Sequence, residues 1–227
     1  HVELILFSSN VKSKSEIPEV VELFENGLEI FHVKKNKWSK AKMKTYLKAF
    51  PSKYHNRLVL HSHYSLAISF KLRGIHIGKR QKQSRIRLGL QLAYLQALRP
   101  KLKVTTSFYN IQELISAKGH YDYALLKPVF DRHGTRTFSS LFNKKQLENA
   151  IEKSRNRIFA LGGVTQDKIE TARECGFAGV ALQNTFWNKH ENRKQFFQDI
   201  QYRCSNPGPV AREVEIKPVQ IDLDIRS

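Results

Sequence analysis

The sequence contains little cysteine and no long hydrophobic run. Its 227 residues include two cysteines, Cys175 and Cys204, which are too few for a disulfide framework. No apolar run approaches the roughly 18 residues that a membrane span requires. Residues 2–7 are apolar but too short for the core of a signal peptide. We therefore expect no membrane partner and a cytoplasmic location.

Acidic residues are also scarce. Asp and Glu number 20 against 39 Lys and Arg, which leaves a net charge of +19. Such an excess attracts phosphorylated compounds or nucleic acid. No RNP motif, zinc-finger spacing or helix-turn-helix signature accompanies it. A phosphorylated small molecule is the expected partner, and nucleic acid stays an alternative. The densest patch of lysines is Lys34, Lys35, Lys37, Lys40, Lys42 and Lys44.

What the sequence does contain is a regular alternation of short apolar runs with helical periodicity. Strands are predicted at 2–7, 29–33, 57–61, 74–77, 104–108, 121–126, 158–161 and 179–182. Helices are predicted at 19–25, 40–50, 64–71, 86–98, 111–117, 144–153 and 189–203, with a basic loop at 79–85. Eight such units predict a single parallel (β/α)8 TIM barrel over residues 1–205, followed by a tail at 206–227.

The stretch 158–187, IFALGGVTQDKIETARECGFAGVALQNTFW, predicts a strand, a glycine turn, a helix and a strand. Thr165 is placed to cap that helix, and Gly176 is placed to end it. Gly162 and Gly163 allow a sharp turn whose backbone N–H groups bind an anion beside a helix N-terminus. The pattern therefore predicts a phosphate site, with a plain glycine turn as the alternative.

In a parallel barrel the active site lies at the carboxyl ends of the strands. His32, His61 and His76 end neighbouring strands, so a metal site is geometrically feasible there, although anion binding is the preferred interpretation. Lys127 ends the sixth strand and is a candidate Schiff-base lysine if its pocket lowers its pKa, with phosphate contact preferred. The long loop at 131–142 is a candidate lid.

Four stretches, in order and spacing, resemble the thiamine phosphate synthase/TenI family of (β/α)8 barrels. EIFHVKK at 29–35 resembles the family's second-strand motif, and RGIHIG at 73–78 resembles DGVHLG at its fourth strand. YDYALLKPVF at 121–130 resembles ADYIGLGPVF, and 158–180 resembles the phosphate-binding AIGGI…AGADGVAV. The resemblance covers about residues 2–204.

The resemblance implies a transferase that joins a thiazole phosphate to a pyrimidine pyrophosphate and releases pyrophosphate with the help of Mg²⁺. It implies that Gly163, Gln183 and Asn184 hold the thiazole phosphate, beside Gly162. It also implies that His32 and Lys34 face the pyrimidine and that Ser107 contacts pyrophosphate. The further candidates for contact with the pyrophosphate or another anion are Lys35, His61, His63, His76 and Lys127.

This sequence departs from the family pattern at several of these positions. The family's two magnesium-binding Asp residues are replaced by Ser62 and Gln81, so the Mg²⁺ that the resemblance implies has lost its usual ligands. Lys127 stands in place of a glycine. Tyr109 aligns with the histidine that serves the TenI tautomerase. Protein cations are the expected substitute for the charge of the metal ion.

A synthase-like transferase is therefore the first prediction. A TenI-like thiazole tautomerase is one alternative, with Tyr109 or His32 as its acid/base. A non-catalytic barrel that binds a phosphorylated ligand or nucleic acid is another. A metal-dependent hydrolase built on His32, His61 and His76 is the last.

Overall fold

The computed structural model describes residues 1–133 and 136–208. Eight parallel strands close into one barrel, in which each strand pairs with the next and the eighth pairs with the first. The strands are β1 Glu3–Phe7, β2 Ile30–Val33, β3 Leu58–Leu60, β4 Gly74–Ile77, β5 Lys103–Phe108, β6 Tyr123–Leu126, β7 Ile158–Leu161 and β8 Gly179–Leu182. The (β/α)8 prediction is confirmed.

The strands read as continuous apolar runs because both of their faces are buried, as in parallel sheets generally. One face packs under the helices and the other fills the barrel. Ile5, Val59, Leu125 and Phe159 belong to the cluster inside the barrel. The two-residue period of a strand then directs every second residue inward, up to the carboxyl ends. This period determines which of the predicted site residues reach the barrel mouth.

The helices follow the predicted order. They are α1 Glu16–Glu25, α2 Lys40–Lys48, α3 Ser65–Ser69, α4 Lys79–Lys82, α5 Arg85–Leu98, α6 Ile111–Ser116, α7 Lys144–Lys153, α8 Ile169–Glu174, α9 Asn184–Trp187 and α10 Arg193–Ser205. None of the described helices has the length and apolar character needed to cross a membrane. Gly176 follows α8 with φ +88°, which confirms its predicted role at the helix end.

Several predicted boundaries were wrong. Helix α1 begins at Glu16, ahead of the prediction, because Pro18 is tolerated in a first turn, where its missing N–H would have no helical acceptor. The predicted basic loop at 79–85 contains α4. The last helix begins at Arg193, after the separate α9, and not at Lys189. Strand β6 begins at Tyr123, two residues late.

Two predicted segments are described only in part. Of the tail at 206–227, the described residues end at Gly208, whose N–H donates to the Glu170 carboxylate at 3.2 Å. The remainder lies outside the described residues. In the predicted lid, the described residues fold back on the segment after β6, since Phe138 bridges to Phe130 and the two rings stack at 5.7 Å.

Candidate functional site

A cavity of about 860 Å³ opens at the carboxyl ends of β6, β7 and β8. The sequence-predicted residues that line it are Lys34, Tyr109, Lys127, Gly162, Gly163, Gln183 and Asn184. These residues follow five different strands, and closure of the barrel brings them together. The cavity therefore lies where a parallel barrel places its chemistry.

The Gly162–Gly163 turn after β7 forms one wall. The backbone φ angles of Gly162 and Gly163 are +101° and +67°, a region that favours glycine. A Cβ on Gly163 would stand 2.7 Å from the carbonyl oxygen of Phe130. The Phe130 N–H donates to the Gly162 carbonyl at 3.1 Å and fastens the turn to the segment after β6. Both glycines are therefore required by the backbone.

The same turn presents free donors to the cavity. Within residues 1–133 and 136–208, the backbone N–H groups of Gly163 and Val164 have no protein acceptor. Oriented N–H groups of this kind form a concave site for an anion. Thr165 occupies the predicted N-cap position, at the start of the 3₁₀ turn Gln166–Lys168 that precedes α8, but its hydroxyl donates to Asp167 and not to a helix N–H. That hydrogen bond lowers the pKa of Asp167.

Neutral amides line the seam between β8 and β1. The Gln183 Nε2 donates to the carbonyl of Ser8 and to the side-chain oxygen of Asn10, both at 3.2 Å. Asn10 in turn donates to the side-chain oxygen of Asn184 at 3.2 Å. Sequence reasoning missed Asn10, although a polar residue just beyond a strand end is the signal that would have found it. These amides line the cavity together with the glycine turn.

Two lysines form a further part of the cavity wall. Lys34 and Lys127 both line the cavity, and the Lys127 Nζ is 5.2 Å from the ring centre of Tyr109. Burial, followed by the charge of Lys34, lowers the pKa of Lys127 to about 8. Burial also raises the pKa of Tyr109, which stays a phenol at neutral pH. Adjacent ammonium groups are stabilised by a bound polyanion.

A buried layer of histidines lies below the cavity and does not line it. His32 places Nδ1 2.8 Å from the Nε2 of His61 and places Nε2 2.7 Å from the Tyr123 hydroxyl. Burial lowers the pKa of His32 to about 3 and holds that of His61 well below its usual value. Both rings are therefore neutral at physiological pH.

The third histidine, His76, is hydrogen-bonded to two hydroxyl groups of β5. Its Nδ1 is 2.8 Å from the Thr105 hydroxyl, and its Nε2 is 2.9 Å from the Ser107 hydroxyl. Thr105 donates its own proton to the Ile75 carbonyl, so His76 donates from Nδ1 and accepts at Nε2 from Ser107. The hydroxyl of Ser107 thus points to a histidine, below the cavity.

The three histidines offer ring nitrogens that all lie within 4.8 Å of one another, which is close enough to consider a metal ion. The charges of Lys34 and Lys127, however, help to lower the pKa values of His61 and His76. Ammonium groups this near disfavour a divalent cation. The arrangement suits the floor of an anion site better, and the hydrolase alternative stays a prediction.

Two predicted anion contacts, Lys35 and His63, lie away from the cavity. Lys35 pairs with Glu16 at 2.8 Å and donates to the Ser9 carbonyl at 2.8 Å. The ring of His63 is hydrogen-bonded to the Trp38 carbonyl at 2.7 Å. Arg132 and Lys168, which sequence reasoning did not single out, do line the cavity.

The basic charge is concentrated on one half of the barrel. Residues 30–112 contain 19 of the 39 Lys and Arg residues and none of the 20 Asp and Glu residues. The rest of the chain is balanced, so this segment, from β2 to the loop after β5, carries the whole net charge of +19. Because the strands follow one another around the barrel, the segment forms one continuous side. Such a side draws anions towards the mouth.

The residues present do not fit the magnesium site that the family pattern implies. Mg²⁺ prefers carboxylate oxygens. At the positions of the family's two magnesium-binding Asp residues, this chain has Ser62 and Gln81. Gln81 lies in α4, among the cations of that helix. Of the carboxylates that line the cavity, Asp131 accepts from the N–H groups of His133 and Arg136 at 3.1 and 3.0 Å. The other, Asp167, pairs with Lys168 at 3.0 Å.

Comparison with known proteins gives one family. A family model described as thiamine monophosphate synthase matches residues 4–186. None of the curated protein sequences compared with the chain matches it.

Solved structures give the same picture of the fold. Thiamine phosphate pyrophosphorylase from Bacteroides thetaiotaomicron is similar with a TM-score of 0.72 and 22% identity, covering 92% of this chain and 100% of that chain. The enzyme of the same name from Pyrococcus furiosus has a TM-score of 0.69 and 17% identity, covering 90% of this chain and 96% of that chain. N-(5′-phosphoribosyl)anthranilate isomerase from Pyrococcus furiosus has a TM-score of 0.56 and 16% identity, covering 91% of this chain and 100% of that chain. At these identities the likeness is one of fold.

Proposed function

Because the chain belongs to the thiamine monophosphate synthase family, we propose that it is a synthase-like transferase of thiamine biosynthesis. It joins a thiazole phosphate to a pyrimidine pyrophosphate and releases pyrophosphate. The observation that carries the proposal is that the glycine turn and two lysines, Lys34 and Lys127, line one and the same cavity.

The thiazole phosphate is assigned to the glycine turn. The free N–H groups of Gly163 and Val164 point to an anion there, and the Gln183 amide stands beside them. Neutral donors bind a phosphate without adding a competing positive charge near the reacting ring. This assignment accounts for the requirement for glycine at both positions of the turn.

The pyrophosphate is assigned to the lysine wall. When its bond to the pyrimidine breaks, negative charge grows on the departing oxygen, and fixed cations stabilise that charge. Lys34, Lys127 and Arg132 line this side of the cavity. They supply the charge where the family's acidic metal ligands are absent, so the proposal routes no step through a metal ion.

The test is a product assay with purified protein, a thiazole phosphate and a pyrimidine pyrophosphate. We expect thiamine phosphate to form with a chelator present, and the Lys34→Met variant to lose at least tenfold in rate. Lys144→Met is the matched control, because Lys144 is half exposed and lies on the outer helix α7. Absence of product with and without Mg²⁺ would refute the transferase proposal.

The tautomerase alternative uses the same cavity, and assays on the same purified protein distinguish it from the transferase. Its candidate acid/base is Tyr109, which lines the cavity, whereas His32 is fully buried below it. Conversion of a thiazole carboxylate phosphate tautomer that is lost in Tyr109→Phe would favour it. A rise in melting temperature with thiazole phosphate but no turnover would instead favour a ligand-binding barrel.

A further inference from the structure

Lys127, whose charge the transferase proposal uses, is also held at the cavity in a setting that suits a nucleophile. Its backbone N–H donates to the Phe108 carbonyl at 3.1 Å, which fixes its position directly after β6. Its side chain is half-buried and lines the cavity, and the next residue, Pro128, packs directly against Gly162 of the glycine turn. A fixed backbone and a shared cavity bring this amine to whatever the glycine turn holds.

The groups that face the amine are mainly neutral or cationic. Lys34 comes from the end of β2, Arg132 from the loop after β6, and the neutral His61 and His76 from the ends of β3 and β4. In the described part of the chain, no carboxylate forms an ion pair with Lys127. Asp131 lines the same cavity, but its oxygens accept from backbone N–H groups.

These surroundings favour the neutral amine over the ammonium ion. Burial and a neighbouring cation are the two effects that activate a lysine as a nucleophile. With a pKa of about 8, roughly one Lys127 side chain in ten is the free amine at pH 7, against about one in 3,000 for an ordinary lysine. Lys127 can therefore attack an electrophile at neutral pH.

We propose that Lys127 forms an imine with the carbonyl carbon of a phosphorylated aldehyde or ketone whose phosphate occupies the Gly162–Gly163 turn. This inference goes beyond the transferase reaction, which needs no covalent bond to the protein. It shares with that reaction the phosphate site and the Lys127 side chain.

The chemistry balances without a further reactant. The Nζ lone pair forms a bond to the carbonyl carbon, and the carbonyl electron pair moves to its oxygen, which takes up a proton while the nitrogen loses one, so that a neutral carbinolamine forms. A second proton transfer to that oxygen breaks the C–O bond and releases water, leaving a protonated imine. The Tyr109 phenol, whose ring centre is 5.2 Å from Nζ, is the nearby group that can donate and recover a proton.

Pyridoxal 5′-phosphate is the probe that tests the proposal, because it carries an aldehyde and a phosphate in one small molecule. The full chain is incubated with the probe at pH 7, the imine is reduced with borohydride, and the modified peptides are identified by mass. We expect one adduct per chain, on the peptide that contains Lys127. Unphosphorylated pyridoxal is expected to label at least tenfold less, since it cannot use the glycine turn.

Variants separate the chemistry from general lysine reactivity. Lys127→Arg keeps the charge and removes the nucleophile, so the adduct is lost, whereas Lys189→Arg, at the edge of the same cavity, keeps it. Lys34→Met removes the neighbouring cation and is expected to slow labelling about threefold to tenfold at pH 7 but not at pH 10. Labelling spread over exposed lysines, or an adduct of undiminished yield in Lys127→Arg, would overturn the proposal.

A readout on the unmodified chain keeps the test valid if a variant fails to fold. Labelling of the Lys127 peptide relative to other lysine peptides is followed from pH 6 to pH 10. We expect the ratio to be high and nearly unchanged between pH 6 and pH 7, and to fall above pH 8, where Lys127 is already deprotonated and the ordinary lysines lose their protons. A constant ratio would refute the proposal. Thiamine phosphate formation is measured separately, so failure of the transferase proposal leaves this result unaffected.

Discussion

Lys34 and Lys35 are adjacent in sequence, yet Lys34 lines the cavity and Lys35 forms a buried ion pair with Glu16. Substitution of the two lysines is therefore expected to have different effects. The Lys35 side chain is 7% exposed and that of its partner Glu16 is 3% exposed. Lys35→Met leaves the Glu16 carboxylate buried without its cation. Removal of one partner of a buried ion pair costs about 3–5 kcal/mol of unfolding free energy. Glu16 keeps bonds from the Tyr46 hydroxyl at 2.6 Å and the Ser9 N–H at 2.7 Å.

Because those two bonds remain, the lower end of that range is expected, about 3 kcal/mol, or a fall of roughly 6–12 °C in melting temperature for a chain of this size. Affinity for pyrophosphate is expected to stay unchanged, since Lys35 does not line the cavity. Lys34→Met is the matched control. Its melting temperature is expected to change little, whereas pyrophosphate affinity falls at least tenfold through loss of a charge-assisted contact.

The assay combines thermal melts of both variants with calorimetric titration of pyrophosphate. Adding Glu16→Gln to Lys35→Met removes the unpaired charge and is expected to recover part of the lost stability. A Lys35→Met protein that melts like the unmodified chain but binds pyrophosphate weakly would refute the reasoning. That result would show that Lys35 contacts the bound anion.

Three further predictions follow from other parts of the site. Gly163→Ala is expected to lower the free energy of unfolding by about 1–3 kcal/mol, because the φ of Gly163 is positive. Gly89→Ala, in open space on α5, is expected to raise it by about 0.5–1 kcal/mol. Chemical denaturation of both variants measures the two changes, and equal effects would contradict the prediction. The lowered pKa of His32 means that the unfolded chain takes up its proton first, so stability is complete above pH 6.5 and falls by up to about 1.4 kcal/mol per pH unit towards pH 3. His32→Phe should flatten that slope in acid titration of the unfolding free energy, and an unchanged slope would count against a buried neutral ring. Elemental analysis is expected to find less than a stoichiometric amount of zinc, and one zinc per chain that is lost in His61→Ala would revive the hydrolase alternative.

Much of the fold was predictable from the sequence because it depends on local patterns. The apolar runs of β4, β7 and β8 end where the structure ends them, and the glycine pair predicted the turn between β7 and α8. The errors at α1 and α4 arose where a proline and a cluster of basic residues suggested irregular structure. In both cases the tertiary structure extended or added helix that the local signals did not require.

The candidate site was predictable only as a set of strand ends. The sequence assigned Lys34 and Lys35 to the same anion, but the two-residue period of β2 sends the first towards the barrel axis and the second outwards to Glu16. Ser107 was expected at the pyrophosphate, yet its hydroxyl is hydrogen-bonded to the His76 ring at 2.9 Å. Neither partner is near in sequence, so no local pattern could have named it.

The sequence by itself determined the alternation of strands and helices, the glycine turn and the excess of basic charge, because each of these depends on residues that are neighbours along the chain. The tertiary structure alone decided which cations share the cavity and which are used in the core. It also decided that the three histidines are neutral and that Lys127 holds its proton weakly. These properties depend on burial and on charges from distant strands, and only closure of the barrel brings those groups within a few ångströms of one another.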